Sequence, residues 1–578
     1  MQFRAPPWLS RLVAKPAALL LLISGLAGAG CTGVVAPAST TDESDGAGQS
    51  SKGPKLPPDT SPAPVAVRRL NGTEITNSIQ DVLPLAGSFD TPFQPDATAH
   101  NFDNQYSGAN ITVRFAEDLQ VVAEKAAEQL SARLDQVLPC AKGVTSANEA
   151  GCLNTFFDTI GRRVFRRPLS QDERQSLKVV FDAVRRDGDF AYGVGGVVEA
   201  MLQSPNFAFR TEIGSSTATS EGATTLDGYE LASALSYFLW RSAPDDVLLD
   251  AAKAGKLRDA SEVEAQAKRM LADPRARRGV RDFFGQWLEM EQLITGIEKS
   301  DPAFTPALRE AMWLETARFI ENLVFSENAS FDRLLTDSRT SVNKDLAAIY
   351  GVSAPSGDTW APTALNPQQR GGFFTHPGFI AAHTSPAGFS PIFFGLFVRQ
   401  KLLCQKPPQP PADAPPAPID PSLNTRQKFA AHSDSGACKG CHLMMDPIGF
   451  GFERFDSLGR YREFETVASK QVPLTGKGTL HGTDVDGEFT GPVELAKKLS
   501  TSPQVAACMV SQMMKFMLGR DTAFDETRLP IDTATLDSIM TSSKGASMPM
   551  QSVMLALVKS PAFFHRTNAP AGEGVQKP

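Results

Sequence analysis

The sequence predicts a mainly α-helical, multi-domain protein with a small β-hairpin near the C-terminus. After residue 65, apolar residues recur at intervals of three and four over most of the chain, as on amphipathic helices. With 578 residues, the chain is too long for one hydrophobic core and suits several domains. Alternating residues with Gly-rich turns are confined to Val472–Thr490, which predicts the hairpin.

The composition is that of an ordinary globular protein and excludes several classes of function. Hydrophobic residues make up 42% of the chain and charged residues 21%, which excludes wholesale disorder. The net charge is −7 and no dense run of cations occurs, so we expect no nucleic-acid partner. Only one apolar run, at the N-terminus, approaches the length of a membrane-spanning helix, which excludes a multi-span transporter.

The first 30 residues have the pattern of a signal peptide. Three cations precede an apolar block at residues 17–29, and small residues then lead to Cys31. This arrangement resembles a bacterial lipoprotein signal, in which the Cys is lipidated and becomes the mature N-terminus. Because Gly28 stands where such signals usually have Leu, ordinary cleavage near Ala29 is the alternative.

The stretch 31–64 predicts a disordered tether behind the lipidated Cys31. It is rich in Ser, Thr, Pro and Gly and has almost no large apolar side chain, so it cannot bury enough surface to fold. A lipid anchor followed by a tether would hold the folded body just above a membrane. We therefore expect an exported outer-membrane lipoprotein, periplasmic or on the cell surface, with plain secretion as the alternative.

Folded regions are predicted from residue 65 to residue 567, before a disordered tail at 568–578. They are an N-terminal helical domain at 65–139, helical domains at 140–215 and 225–352, a domain at 365–463 that holds a Pro-rich spacer, and a C-terminal domain at 464–567. Apolar periodicity predicts helices at Phe115–Leu138, after a cap at Ser170, and at Gly228–Trp240, Asp259–Leu271, Ala276–Leu293, Pro306–Phe325, Pro391–Leu403, Pro492–Leu499, Val505–Leu518 and Gln551–Lys559. Pro407–Pro421 predicts an extended spacer.

The strongest chemical signal is the motif Cys-x-x-Cys-His at residues 438–442. This pattern attaches c-type haem, because two thiols form thioethers with the vinyl groups and the adjacent His binds the iron. We therefore predict one covalent haem c on Cys438 and Cys441, with His442 as an axial iron ligand. Another metal site and a Cys438–Cys441 disulfide are the alternatives, although no second Cys or His pair lies at zinc-ligand spacing.

The chain has seven cysteines, and an exported protein normally pairs those that have no other role. Lipidation takes Cys31 and haem attachment takes two more, which leaves four. Cys140 and Cys152 flank one short segment and form the first predicted disulfide. Cys404 and Cys508 remain as the second pair, with two buried free thiols as the alternative.

Motifs over residues 66–567 resemble those of a large family of exported proteins, abundant in planctomycetes and myxobacteria. Its members are built from five consecutive domains of unknown function and are often described as cytochrome-c-like. The resemblance implies that organisation but no settled activity. The motifs are Leu70-x3-Glu74-x2-Asn77-x3-Asp81, Phe102-Asp103-Asn104, Arg163-x-Phe165-Arg166-Arg167-Pro168-Leu169, Ser204-Pro205-x-Phe207, Leu231-Ala232-x-Ala234-Leu235-Ser236, Arg370-Gly371-Gly372, Cys438-x2-Cys441-His442-x2-Met445-Asp446-Pro447-x-Gly449, Glu453-x-Phe455-Asp456, Gly519-Arg520 and Ser560-Pro561-x-Phe563-x2-Arg566.

The iron ligand opposite His442 stays open at the level of sequence. A Met stripe at helical spacing is more often core packing than ligation. Met444 and Met445 lie within one turn of His442, on the same side of the ring, and cannot be trans to it. Besides five-coordinate iron, the candidates are His432, His481, Met509, Met513, Met514, Met517, Met548 and Met550. Arg460 and Arg462 are candidate partners for the haem propionates, with solvated charges as the alternative.

Taken together, these features predict a membrane-tethered c-type cytochrome-like protein that transfers electrons to or from a partner exported oxidoreductase. One haem motif without a recognised hydrolase, zinc-protease or P-loop pattern favours a carrier over an enzyme. A haem enzyme of peroxidase or oxygenase type and a non-redox surface protein with a structural Cys-x-x-Cys-His clip are the alternatives. His376 and His383, assigned to a loop, are interpreted as structural histidines.

Replacing the predicted lipid-attachment residue tests the membrane anchor. The variant Cys31→Ala is expected to move the protein from the membrane fraction to the soluble fraction, because stable anchoring needs the acyl chains. Cell fractionation with immunoblotting measures this, and Thr32→Ala, which leaves the Cys in place, is the matched control. Equal membrane fractions for both variants would contradict lipidation.

Overall fold

The computed structural model describes residues 54–56, 63–64, 66–85, 87, 89, 91–99, 101–106, 110–214, 223–357, 359–386, 388–407, 420, 422–433, 439–523, 528–543 and 547–567. The predicted signal peptide, Cys31, the tail at 568–578, and most of the tether and of the Pro-rich spacer lie outside these residues. Helices predominate in the described part and the strands are short, which confirms the predicted fold class.

The N-terminal region is a set of helices preceded by two short strands and followed by a third. Asn71 and Glu74 form a capping box at its first helix, and Ser170 and Glu173 form another where the sequence predicted a cap. Its elements are β1 (Ala63–Pro64), β2 (Ala66–Arg69), α1 (Gly72–Val82), α2 (Val113–Ser131), α3 (Leu134–Val137), α4 (Glu149–Phe156), α5 (Arg162–Phe165), α6 (Gln171–Arg185), α7 (Phe190–Leu202), α8 (Pro205–Ala208) and β3 (Phe209–Glu212).

The middle region is also helical, and one of its helices is shorter than predicted. The helix that begins at Ala276 ends at Trp287, and Glu289 beyond it has a φ of 57°. The helix that begins at Pro306 ends at Glu321 and continues as a π-helical turn. The elements are β4 (Ala223–Thr225), α9 (Gly228–Trp240), α10 (Asp246–Lys253), α11 (Ala260–Ala272), α12 (Ala276–Trp287), α13 (Gln292–Thr295), α14 (Pro306–Glu321), α15 (Phe331–Thr336), β5 (Arg339–Val342), α16 (Lys344–Tyr350) and β6 (Ala361–Ala364).

The C-terminal region contains two consecutive β-hairpins. The pair β9–β10 lies inside the predicted hairpin, and β7–β8 precedes it as a second one. The elements are α17 (Pro377–Ala382), α18 (Pro391–Phe397), α19 (Thr425–Ser433), α20 (Lys439–Gly449), β7 (Phe464–Val467), β8 (Lys470–Pro473), β9 (Lys477–Leu480), β10 (Gly487–Thr490), α21 (Gly491–Ser500), α22 (Pro503–Leu518), α23 (Pro530–Ser543), α24 (Met550–Val558), α25 (Pro561–Phe564) and β11 (His565–Thr567).

The two ends of the folded body meet in one small sheet. Strand β11 lies between β1, which runs parallel to it, and β4, which runs antiparallel. Next to it, the buried carboxylate of Glu212 accepts hydrogen bonds from Arg566 and from Arg210. Burial by itself would raise the pKa of Glu212, but the two guanidinium groups outweigh it and lower the pKa to about 2.

Buried apolar side chains form two cores. The first lies among α1–α8 and receives Tyr237 from α9. The second is continuous through the three predicted domains at 225–352, 365–463 and 464–567, and it includes Phe102 from the N-terminal region. The stripe Met509, Met513, Met514 and Met517 on α22 is part of this second core, in agreement with a packing role.

A buried arginine joins the regions that hold the two cores. Arg241, whose side chain is 0% exposed, contacts Glu74 Oε1 at 2.7 Å and Asp103 Oδ1 at 2.8 Å, and it also pairs with Asp282. Its guanidinium carbon lies 5.1 Å from the ring centre of Phe516 on α22. Burial would lower the pKa of Arg241, but the three carboxylates raise it, so the side chain is a permanent buried cation.

Both predicted disulfides are present. Cys140 pairs with Cys152 across 12 positions, and Cys404 pairs with Cys508 across 104 positions. The second bridge ties the end of the segment before the Pro-rich spacer to α22. The alternative of two buried free thiols at Cys404 and Cys508 is therefore wrong.

Removing the long-range disulfide is expected to destabilise the protein more than removing the short-range one. The chain-entropy estimate is about 3 kcal/mol for a loop of about 15 residues and about 4.7 kcal/mol for one of about 100. Thermal unfolding followed by circular dichroism should therefore show a lower midpoint for Cys404→Ala/Cys508→Ala than for Cys140→Ala/Cys152→Ala. The reverse order would contradict the expectation.

The contact between Glu212 and Arg566 is expected to make stability depend on acid pH. Because the folded-state pKa of Glu212 is about 2, against 4.5 as its ordinary value, its contribution is complete above pH 4.5 and is lost as the pH falls towards 2. The contribution is on the order of 3 kcal/mol. Urea unfolding of Glu212→Gln should show lower stability at pH 7 and a shallower loss at low pH.

The exposed Glu463 supplies the control for this experiment. Glu463→Gln removes the same charge without a buried partner and should reproduce the wild-type dependence on pH. Parallel curves for Glu212→Gln and the wild type would show that Glu212 is not the group responsible.

Candidate functional site

Helix α20 carries two of the three residues of the predicted haem motif. Cys441 is half-buried and His442 is buried, and both lie in the first turn of the helix. Cys438, the third residue, precedes Lys439 directly and lies outside the described residues. The structure therefore places Cys441 and His442 side by side at the N-terminal end of α20, as the motif requires.

His442 is oriented by a carboxylate on its own helix. Its Nδ1 lies 2.9 Å from Oδ2 of Asp446, one turn further along. A carboxylate accepts, so the imidazole donates through Nδ1, and this tautomer leaves Nε2 as the nitrogen with a lone pair for a metal. The hydroxyl of Ser433 on α19 lies 3.1 Å from the same carboxylate oxygen.

Asp446 is the residue at this site to which the sequence analysis assigned no role, although it belongs to the family motif. Its spacing from His442 was the signal that would have found it, because residues four apart on a helix share a face. The carboxylate is 5% exposed, so its contact with the imidazole is formed away from bulk water. Hydrogen bonding of the second ring nitrogen is the usual arrangement for a metal-binding His.

Two glycines allow α20 to lie directly against α18. A side chain at Gly395 would overlap the carbonyl oxygen of Met445, and one at Gly449 would overlap that of Pro391. The two backbones therefore touch in the second half of α20, at Met445 and Gly449. This contact fixes the position of α20 and buries Met445, which at 6% exposure packs against the core and not into an open site.

A cleft of about 630 Å³ lies along another face of α20. Arg399, from the turn after α18, donates from Nε to the carbonyl oxygen of Met444 at 3.1 Å and from Nη1 to Gln405 at 2.8 Å. Burial lowers the pKa of Arg399. The lining residues are Arg399, Gln405, Leu443, Met444, Pro447, His481 and Gly482.

The other predicted iron ligands are dispersed. Among the candidates whose side chains the structure describes, only His481 lines the cleft beside α20. Met550 is completely buried at the start of α24. His432 lies on α19, and its side chain is outside the described residues.

The predicted propionate partners have other contacts. Arg460 donates to Asp301 at 2.6 Å and to Asp456 at 3.1 Å, and these carboxylates help to raise its pKa. Arg462 donates to the carbonyl oxygen of Glu453 at 3.2 Å. Both guanidinium groups therefore have hydrogen-bond partners within the protein.

The two histidines assigned to a loop flank a short helix, α17, because Pro377 supplies a favourable first helical residue. His376 lies 3.1 Å from the hydroxyl of Thr316, and burial lowers its pKa to about 3. His383 Nε2 lies 3.3 Å from the carboxylate of Glu289. Both are buried and have partners, in agreement with a structural role, whereas the predicted loop between them is wrong.

Within the described residues, no three or more His, Cys, Asp or Glu side chains are grouped so as to hold a metal ion. A covalent haem needs no such group, since its protein donors are two thiols and one imidazole. Cys441 and the oriented His442 fit that donor set. Among the described helices, none combines the length and hydropathy required to cross a bilayer.

Comparison with known families assigns the chain to five consecutive domains. Each matching model is described as a protein of unknown function, and in chain order they are DUF1587 at residues 68–132, DUF1595 at 152–212, DUF1592 at 226–352, DUF1588 at 370–465 and DUF1585 at 486–563. The chain belongs to the family of proteins built from these five domains. The organisation into five consecutive domains that the motifs predicted is thereby confirmed.

The family assignment brings no activity with it. No curated protein and no solved structure matches the chain. Residues 438–442 fall inside the DUF1588 match, as do α18, α19 and α20, so the motif, Asp446 and Ser433 belong to one of the five domains. The chemistry of the site itself is therefore the guide to function.

Proposed function

We propose that this member of the family is an exported, membrane-tethered c-type cytochrome-like protein. One haem would be attached through Cys438 and Cys441, with His442 as an iron ligand, and the protein would transfer electrons to or from a partner exported oxidoreductase. The observation that carries the proposal is the Nδ1 contact of His442 with Asp446 at 2.9 Å, inside a Cys-x-x-Cys-His motif.

The residues of the site support attachment in three ways. The contact with Asp446 holds the imidazole in the tautomer that a metal ligand needs. The first turn of α20 presents Cys441 next to His442, and the second half of the same helix packs closely against α18. When bound, haem supplies a one-electron couple between ferric and ferrous iron.

The cysteine pairing supports export. Four of the seven cysteines form two disulfides, and such bridges persist in oxidising compartments and are rare in the cytosol. The same compartments are those in which c-type haem is attached. Anchoring at Cys31 and location at the outer membrane rest on the N-terminal sequence, which lies outside the described residues.

Haem staining of a denaturing gel tests the proposal directly. With haem-maturation machinery present during expression, the wild-type band should stain, while Cys438→Ser and Cys441→Ser should each lose two-point attachment. Lys439→Ala, at an exposed position inside the motif, should stain as strongly as the wild type. An unstained wild-type band would refute haem attachment.

Carbon monoxide binding to the reduced protein separates the carrier from a haem enzyme. An electron carrier with both axial positions filled should show no change in its absorption spectrum. A haem enzyme needs an open position and should bind the gas. An absorption spectrum of bound carbon monoxide would refute the role of electron carrier and favour a haem enzyme of peroxidase or oxygenase type.

A further inference from the structure

The carboxylate of Asp446 accepts a hydrogen bond from His442 and also places a negative charge next to its imidazole. It is 5% exposed and lies 2.9 Å from Nδ1 of His442, so a negative charge is held beside the imidazole out of bulk water. Ser433 Oγ lies 3.1 Å from the carboxylate oxygen that contacts the imidazole and 2.7 Å from the carbonyl of Phe429. The pair is thus fixed between α19 and α20.

Such a pair changes the electronic character of a metal-binding imidazole. A carboxylate that accepts the Nδ1 hydrogen draws this proton towards itself and leaves more electron density on Nε2, which raises the basicity of the ligand. A more basic ligand and a nearby negative charge both stabilise ferric iron relative to ferrous iron, because the ferric ion carries the higher positive charge. Hydrogen bonds to an iron ligand are among the interactions by which proteins set haem potentials.

We infer that Asp446 is a positioning residue for His442 that stabilises the ferric state and lowers the midpoint potential of the haem. The inference rests on the proposed function and adds the direction in which the site is tuned. Reduction of the ferric iron would take one electron from a partner protein whose potential lies below that of this haem. Asp446 transfers no proton in this step.

The test is a potentiometric titration of the purified, haem-loaded full chain and its Asp446→Asn variant, followed by the Soret absorption. Asn keeps the size of Asp and can still accept from Nδ1, but it has no charge. We expect the midpoint potential to rise by at least 59 mV, which corresponds to a tenfold change in the oxidised-to-reduced ratio of a one-electron couple. The haem content, measured as the pyridine haemochrome, should stay at one per chain.

Two further variants isolate the effect of the carboxylate. Glu463→Gln removes an exposed charge from the same domain and should leave the potential at the wild-type value. Asp446→Glu retains the charge but displaces it by one methylene group, so its potential should lie between those of the wild type and Asp446→Asn. If Asp446→Asn does not accumulate as folded protein, the comparison of Asp446→Glu with the wild type decides.

The outcomes separate this inference from the proposed function. A wild-type protein without covalent haem would overturn both. A wild-type protein and an Asp446→Asn variant with equal haem content and equal potentials would overturn only the role of Asp446. A lower potential in Asp446→Asn than in the wild type would also overturn the role of Asp446, because loss of the negative charge should make His442 less basic and raise the potential.

Discussion

The buried cation of Arg241 is the interaction on which the arrangement of the domains depends. It lies at the end of α9, is completely enclosed, and contacts carboxylates from the N-terminal region and from α12. Removing one of these carboxylates would leave an uncompensated charge in the interior. The free energy of unfolding typically falls by about 3–5 kcal/mol in such a case, which is on the order of half the stability of a domain. The ring of Phe516 extends the contact to α22, so three regions are joined at one residue.

The position of α20, which carries the candidate site, depends on contacts made by the segment that precedes the Pro-rich spacer. Cys404 is bridged to α22, and the neighbouring Gln405 receives a hydrogen bond from Arg399. Arg399 in turn donates to the backbone of α20 at Met444. A chain of covalent and polar contacts therefore runs from the core of the C-terminal region to the helix with the haem motif, and it limits the movement of that helix relative to the core.

Much of the fold was predictable because the information is local. Helix α9 begins and ends at the predicted residues, and the capping box at Ser170 was visible as a Ser and a Glu three positions apart. The end of α12 at Trp287 was not predictable, because apolar residues continue to Leu293 with helical spacing. There, tertiary contacts decide: Glu289 turns the chain and pairs with Lys401 and His383, which are more than 90 residues away.

The sequence by itself determined the fold class, the family, the motif at residues 438–442 and the four cysteines left to pair. These follow from spacing along the chain, which needs no knowledge of distant neighbours. Only the tertiary structure decided that Cys404 and Cys508 meet, that three predicted domains share one core, and that Arg460 is paired with Asp301. The physical reason is that packing and ion pairs depend on which surfaces face each other, and residues far apart in sequence supply those surfaces.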